Sequence, residues 1–258
     1  DSALPWWAQD MPLPMGMLTA DKINTVSEGY AWEILTESYG TGLDGFLATR
    51  KNDLSGILNG IDIQAWDPAT DKALESNYSA ESIAPRKDNK PALLQELGLN
   101  PDAQIPLLAF IGRMDRQKGI EIALEALQQS KPESWQAVFL GTGDPEIENW
   151  TRSLANELPG RVAAVIRFDD ALARRVHAGA DIMLIPSRYE PCGLIQMSAM
   201  RYGCVPLARA TGGLRDTITN LADGKKGTGF LFEDPTPESM IRALKQALKA
   251  YSDRRRWP

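Results

Sequence analysis

The sequence predicts an α/β fold in which helices cover both faces of a doubly wound, parallel sheet. From about Ile105 onward, six short apolar runs alternate with segments of helical period. The runs are apolar at nearly every position, as expected for strands that are covered on both faces. Because strand is followed by helix six times, we expect parallel strands joined by right-handed crossovers.

The six predicted strands are short and bounded by turn residues. They are Pro106–Ile111, Ala137–Leu140, Val162–Ile166, Asp181–Ile185, Val205–Ala208 and Gly229–Phe232. The segments after them have the i, i+3, i+4 apolar spacing of amphipathic helices. These predicted helices are Ile120–Gln129, Glu146–Glu157, Ala171–Ala178, Leu194–Tyr202, Leu214–Leu221 and Pro237–Tyr251.

The first hundred residues predict a smaller strand–helix–strand unit. Its predicted elements are a strand Ile23–Val26, a helix Glu28–Tyr39, a tight turn Gly40–Gly45 and a strand Ile57–Asn59. Before it, Asp1–Met17 contains prolines and paired tryptophans without a clear period and is predicted to be a loop. After it, the polar segment Asp67–Lys90 is predicted to be a connecting segment or an irregular insertion.

The composition limits the classes of function. The 258 residues contain 28 Lys and Arg against 34 Asp and Glu, a formal net charge of -6, which argues against a general electrostatic grip on nucleic acid or an anionic membrane. Cys192 and Cys204 are too few for a disulfide framework, and the single His177 excludes zinc clusters and histidine-dependent triads within this chain. No apolar stretch is long enough to span a bilayer, and no signal-peptide pattern opens the chain. We expect a soluble protein of a reducing compartment.

The loop Gly112–Gly119 follows a predicted strand and precedes a predicted helix. Its cations, Arg113 and Lys118 among them, lie beside glycine and a helix N-terminus, which suits a phosphate or a diphosphate. A solvated loop whose cations only confer solubility explains the same residues equally well.

The loop Ser187–Leu194 places the Glu190 carboxylate between a strand and a helix start. Such a carboxylate can accept hydrogen bonds from sugar hydroxyls or oppose positive charge at an anomeric carbon. Taken alone, the loop favours a simpler interpretation, in which Glu190 caps the helix or pairs with Arg188.

A third loop after a predicted strand contains Thr211, Gly212 and Gly213, whose backbone N–H groups and hydroxyl could receive an oxyanion. Paired glycines are also common in ordinary tight turns. Phe168 follows another strand and could either stack on a base or belong to the core. Cys192 and Cys204 are interpreted as small core or pocket residues rather than as nucleophiles, and His177 as a surface or packing residue.

Taken together, these residues resemble the glycogen/starch synthase family, which are retaining glycosyltransferases of two-domain GT-B architecture. The stretches that carry the resemblance are Thr25-Val26-Ser27, Tyr30-Ala31, Glu33-Ile34, Gly56 to Asp62, Trp66-Asp67-Pro68, Gly112 to Gly119, Glu190 to Gln196, Met200 to Gly203 and Thr211 to Leu214. The resemblance implies a Rossmann-like GT-B carboxy-terminal domain with the tail of a second Rossmann-like domain.

The resemblance also implies roles for individual residues. Arg113 and Lys118 would hold the donor diphosphate and Glu190 would contact the transferred glucose, while Phe168 would lie against the adenine. Asn59 matches a family residue near the reacting centre, so the implied catalytic residues are Glu190, Lys118, Arg113 and Asn59. The implied nucleotide-sugar contacts are Arg113, Lys118, Phe168, Glu190, Cys192, Gly193, Leu194, Ile195, Thr211, Gly212 and Gly213.

By the same resemblance, the donor is ADP-glucose, the acceptor is an α-1,4-glucan, and no metal or other cofactor is expected. Residues 1–55 would be a remnant of the amino-terminal, acceptor-side domain, and residues 56–258 the nucleotide-sugar-binding domain. The family's K-x-G-G-L loop is absent, and the chain ends at Arg254-Arg255-Arg256-Trp257-Pro258, before the helix that crosses back. We expect an incomplete, weakly active or inactive chain from bacterial cytoplasm or plastid stroma, which lacks its amino-terminal domain in cis.

Two alternatives remain open at the level of sequence. One is a related GT-B enzyme that acts on nucleotide sugars or glucans, such as a glucan phosphorylase or a nucleotide-sugar epimerase. The other is a non-catalytic nucleotide- or glucan-binding module.

Overall fold

The computed structural model describes residues 4–221, 226–253 and 257. Within them, six parallel strands form one sheet and two further parallel strands form a small second sheet. The strands are β1 (Ile23–Thr25), β2 (Leu54–Gly56), β3 (Leu107–Ile111), β4 (Gln136–Gly141), β5 (Val162–Ile166), β6 (Ile182–Ile185), β7 (Val205–Arg209) and β8 (Phe230–Phe232). The predicted α/β class and the six predicted strands of the parallel sheet are confirmed.

Helices connect the strands as predicted. The α-helices of the described residues are α1 (Pro12–Thr19), α2 (Glu28–Glu33), α3 (Glu37–Gly40), α4 (Asp44–Thr49), α5 (Arg86–Glu96), α6 (Ile120–Gln129), α7 (Pro145–Glu157), α8 (Asp170–Gly179), α9 (Ile195–Arg201), α10 (Gly212–Thr217) and α11 (Pro237–Ser252). The helix predicted over Leu214–Leu221 is wrong in its bounds, because Ile218 is extended and buried and so ends α10. Arg254 to Arg256 and Pro258, on which the predicted chain ending partly falls, lie outside the described residues.

The large sheet has the order β5-β4-β3-β6-β7-β8, so the chain winds outward in opposite directions from the central pair β3 and β6. In that pair, Leu108 lies opposite Ile182. Open α/β sheets bind ligands at the carboxyl ends of the strands where the winding reverses. The topology therefore points to the loops after β3 and β6.

Apolar side chains fill both faces of this sheet. Leu108 belongs to the core that α6, α7 and α11 cover, whereas its neighbour Leu107 belongs to the core on the side of α5, α8 and α9. Both side chains are fully buried. Successive residues of one strand thus enter opposite cores, which explains why the strands are apolar at nearly every position. No helix among residues 4–221 and 226–253 combines the length and the apolar character needed to cross a membrane.

The prediction of a loop over Asp1–Met17 is wrong for its second half. A short 3-10 helix, Trp6–Ala8, precedes α1. Pro12 is the first residue of α1, where a proline needs no hydrogen-bond partner for its nitrogen and its fixed φ suits the helix. A proline that suggested a loop therefore starts a helix.

The predicted helix Glu28–Tyr39 is divided into α2 and α3. Ser27 caps α2 by accepting a hydrogen bond from the Tyr30 N–H at 3.0 Å. Thr36 is extended, and its hydroxyl donates to the Glu33 carbonyl at 2.6 Å, which competes with continuation of the helix. The predicted turn Gly40–Gly45 is shorter than expected because α4 already begins at its fifth residue.

The second strand of the small sheet is β2 rather than the predicted Ile57–Asn59. Leu54 of β2 packs on a small core with Phe46, whereas Ile57 and Leu58 are 66% and 41% exposed. Apolar character alone therefore placed the strand three residues too late. The predicted domain boundary between residues 55 and 56 falls inside β2, and the division of the chain at that point stays a prediction.

The segment Asp67–Lys90 is irregular as far as Pro85, as predicted, but α5 then begins at Arg86. Buried Asn89 of α5 fastens the irregular part, because its side-chain oxygen accepts from the Glu75 N–H at 3.1 Å. The polar residues that suggested a connecting segment thus hold the insertion onto the domain.

Candidate functional site

The loops after β3 and β6 bring Lys118 and Glu190 together. The Lys118 Nζ lies 2.6 Å from Glu190 Oε2, and the Ser187 hydroxyl donates to the same oxygen at 3.0 Å. Glu190 is only 6% exposed, so its carboxylate has a fixed position with two donors on one oxygen. The expectation that Glu190 pairs with Arg188 is wrong, since Arg188 bonds to Glu121 at 2.9 Å instead.

The loop after β3 is shaped by its own residues. Met114 is fully buried, and its N–H donates to the Thr142 carbonyl at 2.9 Å, which anchors the loop to the end of β4. Gly119 has a φ of 65°, and a Cβ there would lie 2.0 Å from the Pro186 carbonyl oxygen. Asp115 Oδ1 accepts from the Lys118 N–H at 2.9 Å. Only glycine fits at the end of this loop, which passes directly beside the end of β6.

Arg113 lies in the same loop and is more exposed. Its Nη1 is 2.5 Å from Asp115 Oδ2, and its Nη2 donates to Gln117 Oε1 at 2.8 Å. Both predicted phosphate-binding cations therefore face a carboxylate of this chain, Lys118 that of Glu190 and Arg113 that of Asp115. A phosphate would compete with these carboxylates for the cations.

A cavity of about 270 Å³ opens beside Arg113, between the ends of β3, β4 and β5. Its lining is largely apolar and includes Leu140, Phe168 and Ala173. Phe168 is 88% exposed, so the alternative that it is a core residue is wrong. An apolar lining with an aromatic ring suits a flat, partly apolar group, and Arg113, which lines the same cavity, offers a positive charge to an attached anion.

The loop after β6 turns sharply at Gly193, whose φ is 71°. Gln196 holds this turn, because its Nε2 donates to the carbonyl oxygens of Cys192 and Gly193, both at 3.0 Å. Cys192 is buried, Leu194 is half exposed, and α9 begins at Ile195. From the sequence, Gln196 was only the last residue of the stretch Glu190 to Gln196 and had no predicted role. The structure shows that its side chain fixes the loop that carries Glu190.

The glycine pair at the start of α10 lies directly beneath this loop. The Gly213 N–H donates to the Glu190 carbonyl at 3.1 Å, and a Cβ on Gly213 would lie 2.1 Å from the Cys192 carbonyl oxygen. The Gly212 N–H and the Thr211 hydroxyl both donate to Glu33 Oε1 at 2.8 Å. These donors are thus engaged within the chain, and direct contact of Thr211, Gly212 and Gly213 with a ligand stays a prediction.

Asn59 is not joined to this cluster by a hydrogen bond among the described residues. It lies in the exposed segment after β2, and no hydrogen bond found among the described residues joins it to Glu190 or Lys118. Its predicted place near a reacting centre stays a prediction.

Cys204 and His177 are both fully buried, which confirms Cys204 as a core residue and shows that His177 is a packing residue and not a surface one. Burial raises the pKa of the Cys204 thiol to about 12, and burial, with a smaller effect of Arg174, lowers the pKa of His177 to about 3. At neutral pH the thiol is therefore protonated and the imidazole is uncharged, and neither side chain is exposed to a ligand in solution.

Sequence reasoning missed Ser27 and Glu33 as contributors to the site. The Ser27 hydroxyl donates to the Pro191 carbonyl at 2.5 Å, and Glu33 binds Thr211 and Gly212 as described above. Tyr30, one turn after Ser27, has a pKa raised by burial first and then by nearby Tyr189 and Glu33. The sequence signal for these contacts was that Ser27, Tyr30 and Glu33 each lie in a stretch that carries the family resemblance.

Comparison with known proteins places this site in a family. The model described as "Glycosyl transferases group 1" matches residues 95–258. The chain belongs to this glycosyltransferase family. A second model, "Starch synthase catalytic domain", matches residues 1–49.

The relatives of this glycosyltransferase confirm the predicted resemblance to glycogen and starch synthases. The glycogen synthase of Anaeromyxobacter sp. (strain Fw109-5) is 49% identical over 245 residues, which are 95% of this chain and 52% of the relative. Starch synthase 1, chloroplastic/amyloplastic, of Triticum aestivum is 42% identical over 262 residues, covering 96% of this chain and 40% of the relative. The chain spans about half the length of the curated relatives it matches.

The solved structures agree with the predicted GT-B architecture. The catalytic domain of starch synthase IV from Arabidopsis thaliana, bound to ADP and acarbose, has a TM-score of 0.88 and 34% identity, covering 95% of this chain and 52% of that one. Sucrose-phosphate synthase from Thermosynechococcus elongatus shares the fold, with a TM-score of 0.64 at 21% identity.

Proposed function

We propose that this chain supplies the donor site of a glucosyltransferase that moves glucose from ADP-glucose to the non-reducing end of an α-1,4-glucan. The observation that carries the proposal is the Lys118–Glu190 pair, 2.6 Å apart, whose lysine lies in the same loop as Arg113, which lines the cavity at Phe168. The names of the relatives support the reaction class, and the ADP and acarbose bound to the starch synthase IV relative support the two substrates.

In this proposal, the adenine lies against Phe168 in the cavity of about 270 Å³. The diphosphate then reaches Arg113, which lines the same cavity, and Lys118 in the same loop. Both cations stabilise the negative charge that grows on the departing ADP, so the proposal needs no metal ion for this step. Glu190 faces the glucose, at the other end of the donor.

The transfer forms a bond between the acceptor hydroxyl oxygen and the anomeric carbon and breaks the bond from that carbon to the diphosphate. We propose that the hydroxyl proton passes to the departing diphosphate on the same face, which retains the anomeric configuration. Glu190 is held by Ser187 and Lys118 and opposes the positive charge that develops at the anomeric carbon.

The acceptor side of the cleft is part of the same proposal. Because the chain spans about half the length of its relatives, we propose that glucan contacts come from an amino-terminal domain in cis, which lies outside these 258 residues. The chain alone then binds ADP weakly and transfers little glucose, since a closed cleft is needed to orient the acceptor and exclude water. The relatives are bacterial or chloroplastic proteins, so we propose bacterial cytoplasm or plastid stroma as its location.

A glucosyl-transfer assay tests this function. The chain is joined to the amino-terminal half of the Anaeromyxobacter glycogen synthase and supplied with ADP-glucose and a malto-oligosaccharide. We expect elongation by the joined protein, and Lys118→Ala or Glu190→Ala should lower kcat about 100-fold or more. A folded joined protein that hydrolyses or ignores ADP-glucose, or variants with unchanged kcat, would contradict the proposal.

A further inference from the structure

Helix α2 and its cap are fastened directly to the loop that carries Glu190. Ser27 is fully buried, and its hydroxyl donates to the Pro191 carbonyl at 2.5 Å. The Gly29 N–H donates to Asp216 Oδ2 at 2.7 Å, which ties the first turn of α2 to α10. α2 therefore packs against α10 and the loop that carries Glu190, although it lies about 160 residues before that loop in the chain.

Glu33, at the end of α2, makes the second attachment. Its Oε1 accepts from the Thr211 hydroxyl and from the Gly212 N–H, both at 2.8 Å. Its Oε2 is buried and has no hydrogen-bond partner among the described residues. An unsatisfied buried carboxylate oxygen costs free energy, which offsets part of what the two hydrogen bonds to Oε1 contribute.

The attachment reaches Glu190 through backbone atoms. The Gly213 N–H, next to the group that Glu33 holds, donates to the Glu190 carbonyl at 3.1 Å. A Cβ on Gly212 would lie 2.2 Å from that same carbonyl oxygen, so the loop rests directly on the glycine pair. Ser27 holds the next carbonyl, that of Pro191. Two successive carbonyl groups of the loop are thus fixed, one by Ser27 and one through the residues that Glu33 holds.

We propose that Glu33 is a positioning residue that, together with Ser27, sets the place of the Glu190 loop and so controls binding at the sugar end of the donor site. This inference rests on the proposed function. The cavity at Phe168 and Arg113, where the nucleotide would bind, is lined by other loops and does not include α2. Glu33 should therefore affect the glucose of the donor and not the nucleotide.

Calorimetric titrations of this chain with ADP and with ADP-glucose test the inference. For Glu33→Ala, we expect the Kd for ADP-glucose to rise about tenfold, because two buried donors lose their acceptor, while the Kd for ADP stays within about twofold. Glu33→Gln keeps an acceptor oxygen for both donors and should restore most of the ADP-glucose affinity. Glu37→Ala, which removes an exposed glutamate four residues further along, is the matched control.

Hydrogen–deuterium exchange gives a readout that does not depend on ligand. Glu33→Ala should speed the exchange of the Gly212 and Gly213 amides and of the loop 187–194, while the loop 112–119 stays unchanged. Ser27→Ala should loosen the same loop, and it keeps the test open if Glu33→Ala fails to fold.

The inference is overturned if both Kd values shift in parallel in a folded Glu33→Ala variant, or if the 187–194 loop exchanges as in the parent chain. If the parent chain binds neither nucleotide, the proposed function fails, and the exchange data alone then decide the positioning role.

Discussion

At the scale of single residues, the site neutralises its own cations. Lys118 lies 2.6 Å from the Glu190 carboxylate, and Arg113 lies 2.5 Å from the Asp115 carboxylate. A diphosphate that binds these cations must share them with groups of the same sign as itself. We therefore expect the affinity for the proposed donor to depend on these two carboxylates as well as on the cations.

Asp115 offers a test in which two substitutions act in opposite directions. Its Oδ1 shapes the loop by accepting from the Lys118 N–H, and its Oδ2 pairs with Arg113. Asp115→Asn keeps the acceptor but removes the negative charge, so ADP should bind several-fold more tightly. Asp115→Ala also loses the acceptor and should bind ADP more weakly than Asp115→Asn does. Both are measured by calorimetry.

Asp234→Asn, an equal change of charge at an exposed position after β8, controls for net charge. The interpretation of Asp115 is contradicted if Asp115→Asn weakens ADP binding, or if both Asp115 variants behave alike.

The sequence could predict Arg113, Lys118 and Glu190 because each follows a recognisable buried strand, and strand ends of a parallel sheet meet at one edge. It could not predict Ser27 or Glu33 as parts of the site. Their partners lie 164 and 178 residues away, respectively, and no local pattern records such a distance. It also could not predict that the glycine pair makes room for the neighbouring loop, whose carbonyl oxygens a Cβ on Gly212 or Gly213 would meet.

At the scale of elements, α5 shows where local patterns fail. Its first residues, Arg86 to Lys90, are polar and charged and follow Pro85, so the sequence favours a connecting segment or an irregular insertion. Tertiary contacts decide otherwise, since Lys90 is buried and bonds to Asp181 Oδ2 at 2.6 Å and to the Ile105 carbonyl at 2.7 Å. The strands of the large sheet were predictable because burial on both faces requires an apolar residue at nearly every position.

Removing the cation of this buried pair should destabilise the whole domain. Lys90→Met leaves Asp181 as a buried charge without its ion partner, which should lower the free energy of unfolding by roughly 3–5 kcal/mol. Urea denaturation followed by circular dichroism measures the loss. Lys87→Met, an exposed lysine on the same helix, should change it by less than about 0.5 kcal/mol. Equal changes in the free energy of unfolding for Lys90→Met and Lys87→Met would contradict a stabilising role of the Lys90–Asp181 pair.

Helix α8 predicts a dependence of stability on pH. His177 is fully buried edge-on against Trp66, with ring centroids 5.6 Å apart, and its pKa is lowered to about 3. The unfolded chain has the ordinary imidazole pKa of about 6.5, so between pH 6.5 and about 3 it binds a proton that the folded chain rejects. The contribution of neutral His177 to the free energy of unfolding is therefore fully present above pH 6.5. It is lost progressively as the pH falls from 6.5 towards 3.

The size of this loss is measured by urea denaturation at pH 7 and pH 5. The parent chain should lose about 2 kcal/mol more than His177→Phe over this interval, because the variant has no imidazole to protonate. Identical losses in the two proteins would mean that His177 is not held neutral in the fold.

At the scale of the whole molecule, the proposed donor site depends on more than the loops of the large sheet. The loops after β3 and β6 supply its cations and its carboxylate, while α2, from the part of the chain near the small sheet, holds the carboxylate loop from behind. Since the chain spans about half the length of its relatives, binding of the donor and transfer to an acceptor should be separable. This chain should perform the first without the second.

The most direct test of the central claim is a calorimetric titration of this chain with ADP, compared with its Lys118→Ala, Arg113→Ala and Phe168→Ala variants. We expect the parent chain to bind one ADP saturably. In each variant the Kd for ADP should be at least tenfold higher, because each substitution removes one contact to the diphosphate or the base. Binding that is undetectable in the folded parent chain, or equal in all four proteins, would contradict the assignment of this site.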